Sequence, residues 1–276
     1  MAIKDLAVAY NGSANADAAL ELAMQMCRKY DATLTGVFVS RPVEFEGRVE
    51  RWITADVMET LRRAQRDTAA GVESSFRDHL AANGFKGKVE WVAIDGQPNA
   101  ALARQARYHD ILLLGQFSDP SDAGRPVRAE DLVLRAGKPL IIVPNNYVVR
   151  PFTEYAVVGW DGSRPSARAL SDAMQILETK TRIDVVCVTG GEEERGPRSA
   201  PKIIRHLERH GVDARQIVLK AARDGVGATI LGYCEENAPD VLVMGAYNHA
   251  KLREDLFGGV TRYVLQNLNT PVMMAH

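Results

Sequence analysis

The chain has 276 residues, 46% of them hydrophobic and 25% charged, proportions of a soluble globular protein rather than a disordered one. Its 34 Lys and Arg against 35 Asp and Glu leave a formal charge of −1. The balance holds up to Val148 (18 basic, 19 acidic) and after it (16 and 16), so neither half has the surplus of a general nucleic-acid binder. No apolar run is long enough to span a bilayer, Lys4 and Asp5 stand where a signal peptide is apolar, and Cys27, Cys187 and Cys234 are too few and too far apart for a disulfide framework or a CxxC zinc site. A cytoplasmic protein is expected, and its length suits two domains.

In chain order, the apolar run LAVAY is followed by a helical stretch from Asn15 to Tyr30 behind a cap-like Ser13. The strand ATLTGVFVS, a long amphipathic helix within 56–83 and the strand KVEWVAID come next. A helix opening near Pro98 leads to ILLLG, a loop, a further helix and LIIVP. The Pro-bounded PNNYVVRPF (144–152) reads as a linker. Beyond it the order returns: AVVGW, DVVCVT, a helix around 199–210, QIVLKA, a helix around 225–236, VLVMG, a helix from about 259 and PVMMA.

The return is a repeat. DLAVAYNGSANADAALELA (5–23) matches EYAVVGWDGSRPSARALSDA (154–173), setting Asn11-Gly12-Ser13 against Asp161-Gly162-Ser163 at an offset of 150. DILLLG and DVLVMG follow at an offset of 130, so about twenty extra residues lie in the first half, within 41–65. Strands apolar on both faces and separated by helices predict an α/β fold: two tandem open parallel five-stranded sheets with helices on both faces. The expected domains are 1–146 and 152–276.

In such sheets, ligands bind beyond the carboxyl ends of the strands, where helix N-termini present free N–H groups. The second half places Gly159-Trp160-Asp161-Gly162 there after its first strand, Val188-Thr189-Gly190-Gly191 after its second, and the loop from Gly245 to a Gly258-Gly259 pair after its fourth. Glycines before a helix leave backbone amides open to phosphate. The plainer reading of Asp161 is a helix N-cap, and Trp160 either stacks on a base or caps the sheet.

At these residues the chain resembles the universal stress protein family in its tandem form, over nearly its whole length. The family signature is Gly, two residues, Gly, nine residues, then Gly-Ser or Gly-Thr. It falls here on Gly245, Asn248, Gly258 and Gly259, followed by Val260 and Thr261. Asn248 replaces a Gly and Gly259 replaces the hydroxyl residue. The resemblance implies a Rossmann-like stress-response protein binding an adenine nucleotide, ATP with Mg2+, in its second domain. Gly159, Trp160 and Asp161 would lie by the ribose and base, Val188 and Met244 by the adenine, Gly245 and Asn248 by the ribose and first phosphates. Gly258, Gly259, Val260 and Thr261 would hold the terminal phosphates. It further implies an intramolecular pseudo-dimer through LIIVP and VMMA, partner proteins of unknown identity, and no catalytic residues; a homodimer of whole chains is left open.

The first half departs further. Asn11 replaces the Asp, and Ser118, Arg128 and Ala129 stand at the signature positions, so no nucleotide is expected there in the family manner. Two rivals are carried forward. One is a slow ATPase using the same pocket, with His249 as its loop base. The other is a sensor or carrier of an apolar or nucleotide-conjugated metabolite in a first-half groove beside Trp52, Ile53, Val57, Met58 and Leu61, although core packing is the expected role of those five. His206 and His210, spaced i and i+4, are expected on a solvated helix face, and Cys187 as an inert buried thiol.

Overall fold

Each half opens on an apolar strand that ends where a serine caps the first helix. Ser13 accepts the N–H of Ala16 and Ser163 that of Ser166, so β1 (Asp5–Ala9) gives way to α1 (Ala14–Tyr30), and β6 (Tyr155–Gly159) to α5 (Arg164–Leu177). The computed structural model describes residues 3–41, 54–116, 127–190, 195–247 and 259–276. The first half continues with β2 (Thr33–Ser40), α2 (Ala55–Ala82), β3 (Val89–Asp95), α3 (Pro98–Ala106), β4 (Ile111–Gly115), α4 (Ala129–Ala136) and β5 (Leu140–Val143). The second continues with β7 (Arg182–Thr189), α6 (Arg195–Arg209), β8 (Ala214–Lys220), α7 (Gly225–Asn237), β9 (Val241–Gly245), α8 (Gly259–Gln266) and β10 (Val272–Ala275).

Both halves form parallel five-stranded sheets, and the two meet edge to edge. The strand order is β3-β2-β1-β4-β5-β10-β9-β6-β7-β8, parallel throughout except where β10 runs antiparallel to β5, with Val272 opposite Ile142 and Met274 opposite Leu140. The fifth strands would otherwise be apolar edges; pairing them covers both. One ten-stranded sheet results. Two cores flank it, each running across both halves: α1, α2, α5 and α6 cover one face, and α3, α4, α7 and α8 the other. Polar contacts also cross the join. Lys29 pairs with Glu154, the Tyr30 hydroxyl meets that of Thr179 at 3.1 Å, and Gln116 donates to the carbonyls of Leu265 and Gln266.

Two elements differ from expectation. Helix α6 begins at Arg195, before the residues predicted, and carries Pro201 in its interior. A proline there has no N–H for the Pro197 carbonyl, and Gln216 of β8 supplies the donor instead, at 3.0 Å. The expected core packing of the extra first-half segment is also corrected. Trp52 and Ile53 lie outside the described residues, Val57 is exposed, and Met58 and Leu61 are only half-buried; α2 is held to the core further along, by buried Phe76 and Leu80 with Val72 packed beside them.

Candidate functional site

At the carboxyl ends of β6, β7 and β9 lies a cavity of about 300 Å³. Of the eleven residues singled out from the sequence, nine line it: Gly159, Trp160 and Asp161 after β6, Val188 on β7, Met244 and Gly245 on β9, and Gly259, Val260 and Thr261 opening α8. Asn248 and Gly258 lie outside the described residues, as does His249. The site is drawn together by close backbone approach. A Cβ on Gly245 would stand 2.4 Å from the Pro165 carbonyl carbon and from the Ser166 nitrogen, so only glycine lets β9 end against the first turn of α5. A Cβ on Gly196 would stand 2.6 Å from the Trp160 carbonyl oxygen, and this close contact seats the start of α6 against the β6 turn.

Asp161 is not the helix cap that the plainer reading made it: Ser163 caps α5, and Asp161 accepts the Ser163 N–H at 2.9 Å through Oδ1. The carboxylate stays at the exposed rim. Trp160 is buried, its indole N–H donates to the Ser199 hydroxyl of α6 at 2.8 Å, and its ring lines the cavity. On the opposite wall Tyr247 adopts a left-handed backbone (φ 57°), and its N–H donates to the buried Thr261 hydroxyl at 3.3 Å. That bond leaves the hydroxyl hydrogen of Thr261 to point elsewhere. Burial, and then the charge of Glu130 from the first half, push the Tyr247 phenol above its ordinary range.

Sequence reasoning missed the side walls. Val186 precedes Val188 by two on β7, and Val226 and Ile230 lie four apart on α7; both pairs face the cavity and read, as sequence, like core. The period-2 and i,i+4 spacings were the available signal. Chemically, the described residues of the cavity offer an apolar slot, the rim carboxylate of Asp161, and the first turns of α5, α6 and α8. A flat aromatic base and an anionic tail suit that combination.

In the first half Asn11 repeats the turn geometry, accepting the Ser13 N–H at 3.1 Å, and Gly115 repeats the close approach, 2.2 Å from a hypothetical Cβ to the Asn15 carbonyl. The opposite face of β2, toward α1 and α2, carries an aromatic cluster. Trp91 and Phe76 press on Gly36, and both rings pack against Tyr10. Ser118 lies outside the described residues; Arg128 and Ala129 open α4, the Arg128 N–H being held by the Asn99 carboxamide. The rings of His206, on the exposed face of α6, and His210, just past its end, meet edge to face with centroids 4.8 Å apart, and no group of three metal-type ligands occurs among the described residues. Burial pushes the Cys187 thiol up to about 11, and those of Cys27 and Cys234 up to about 12, as inert thiols require.

Residues 2–120 and 155–276 each match the family model described as the universal stress protein family. A curated universal stress protein of Synechocystis is 22% identical over 170 residues, which cover 59% of this chain; the match spans only 57% of that relative. Among solved structures, a universal stress protein of Archaeoglobus fulgidus aligns over 98% of this chain and 97% of its own, with TM-score 0.67 and 14% identity. A Pseudomonas aeruginosa protein of unknown function aligns over 99% and 92%, with TM-score 0.58 and 14% identity. No described helix is long and apolar enough to cross a membrane.

Proposed function

The chain belongs to the universal stress protein family, and from that premise we propose that its second half binds an adenine nucleotide, ATP, and that the protein acts as a regulator rather than as an enzyme. The observation that supports this reading is the convergence of the nine residues on one cavity with an apolar slot and the α8 N-terminus at its end. The base would lie between Val188, Val226, Ile230 and Met244, with Asp161 accepting hydrogen bonds from the ribose hydroxyls. The phosphates would meet the backbone amides opening α8 and the Thr261 hydroxyl, bringing Mg2+ with them. The family signature lacks one glycine and one hydroxyl here, but the amides at those positions survive.

The test is calorimetric titration of the purified protein with ATP, alongside mass spectrometry of small molecules released on denaturation. One equivalent of ATP or ADP per chain is expected, with affinity reduced about tenfold in Asp161→Ala, the equivalent of losing one net hydrogen bond. An empty extract with no heat of binding would defeat the reading. Turnover of ATP by the wild-type protein would move it to the enzyme rival.

A further inference from the structure

Helix α6 exposes Arg195, Arg198, Lys202, Arg205 and Arg209. They recur at alternating steps of three and four residues, so on an α-helix they form one stripe, roughly 80° wide and about 21 Å long. Cations this close on one helix face repel one another, and Glu208 is the one acid within α6. The arginines of the other helices are partnered more often: Arg66 with Glu59, Arg77 with Glu73, Arg135 with Asp131 and Arg168 with Asp172. Arg198, Lys202, Arg205 and Arg209 meet no carboxylate among the described residues. The helix is held from beneath instead, by buried Ala200 and Leu207 and by Ile203 and Ile204 at the margin of the core.

We propose that this stripe is a docking surface for an acidic helical segment of a partner protein. The exposed side chains of α6 include one apolar residue, Pro201, and no phenyl, phenol or indole ring. The face therefore offers no wedge for a bilayer, and its one exposed aromatic ring, the His206 imidazole, already meets the His210 ring, so no platform is left for a run of unpaired bases. With a formal net charge of −1 the chain also lacks the long-range field that gathers a nucleic acid. What the stripe complements is a short local row of carboxylates, and glutamates spaced three and four apart on a helix repeat at the same interval of about 5 Å. The first turn of α6 also walls the cavity through Gly196 and Pro197, and Ser199 holds Trp160. Filling the cavity and docking on α6 therefore act on one turn of helix; this coupling alone rests on the nucleotide reading.

The probe is a fluorescently labelled alanine-based helical peptide with glutamates at three- and four-residue spacing, titrated with the full chain and read by anisotropy. Binding that weakens with added salt is expected, with affinity falling at least about tenfold in Arg198→Glu/Arg205→Glu. The same variant should gain affinity for the matching lysine peptide. Circular dichroism checks that the variant folds; if it does not, Arg198→Gln/Arg205→Gln takes its place with the same expected loss. Absence of binding by the wild type, or equal binding by wild type and variant, overturns the proposal. So does tighter binding of a DNA duplex or of phosphatidylserine vesicles than of the peptide. ATP titrated into the same sample separates the two readings. Failure to bind ATP sinks the nucleotide site and leaves the docking surface standing, while ATP binding without effect on the peptide removes only the coupling.

Discussion

Gly245 and Gly115 do the same work in the two halves: each ends a fourth strand against the first turn of the half's leading helix, at a separation no side chain survives. Replacing Gly245 with Ala forces a shift of backbone, not of a flexible side chain. We expect Gly245→Ala to cost about 1–3 kcal/mol, visible as a lower midpoint in urea, and to weaken any ligand of the cavity because the α5 turn must retreat from β9. An unchanged midpoint would refute the close approach of β9 to α5. Asp161 and Thr261 differ in kind. Both are polar and line the cavity, yet Asp161 stands exposed and accepts the N–H of Ser163 two residues on, whereas Thr261 is buried and accepts the Tyr247 N–H from the far side of the loop. Thr261→Val should therefore disturb the unliganded protein more than Asp161→Ala does.

At the scale of elements, α6 shows how a broken rule is compensated. Pro201 withholds the N–H that the Pro197 carbonyl needs, and Gln216 reaches across from β8 to provide one. Gln216→Leu should destabilise the protein by about 1 kcal/mol, and Pro201→Ala in the same chain should recover most of that loss, since the helix then satisfies Pro197 itself. Additive effects in this cycle, read from thermal melts, would disprove the compensation. The start of α6 was misplaced from the sequence for this reason: Gly196, Pro197 and Pro201 all signal a break, and the donor that overrides them lies on another strand. Alternation of strands and helices was legible because the inner strands β1, β4, β5, β6, β9 and β10 are short, almost wholly apolar runs set between helical stretches. The cavity was legible where glycine and aspartate mark strand ends, and illegible at Val186, Val226 and Ile230, whose composition is that of ordinary core. In the long lead of α2, Val57, Met58 and Leu61 carry an apolar pattern that spacing cannot tell from core, yet none of the three is buried.

Across the whole molecule, both cores pass through the join, and buried charges help to hold the second half. Burial pushes the Asp184 carboxyl up, but Arg215, Arg182, Tyr155 and Tyr233 all donate to it and hold it well below the usual carboxylate range. Asp240, buried but bonded to Lys180 and Thr153, is likewise lowered. A carboxylate depressed in the folded state contributes stability that is complete above the unfolded value of about 3.9 and is lost as pH falls below it. The melting temperature should therefore hold steady through neutral pH and fall steeply below about pH 4, and Asp184→Asn should lower it at neutral pH while flattening the acid limb. The antiparallel join has an electrical consequence as well. In each half the helices run against their strands, so the positive ends of α1 to α4 gather at one rim of the sheet and those of α5 to α8 at the opposite rim. The two sets of macrodipoles oppose each other. A head-aligned fusion would concentrate them into one polar molecule; this one has two rims attractive to anions, facing away from each other, and little net moment to turn it in an external field.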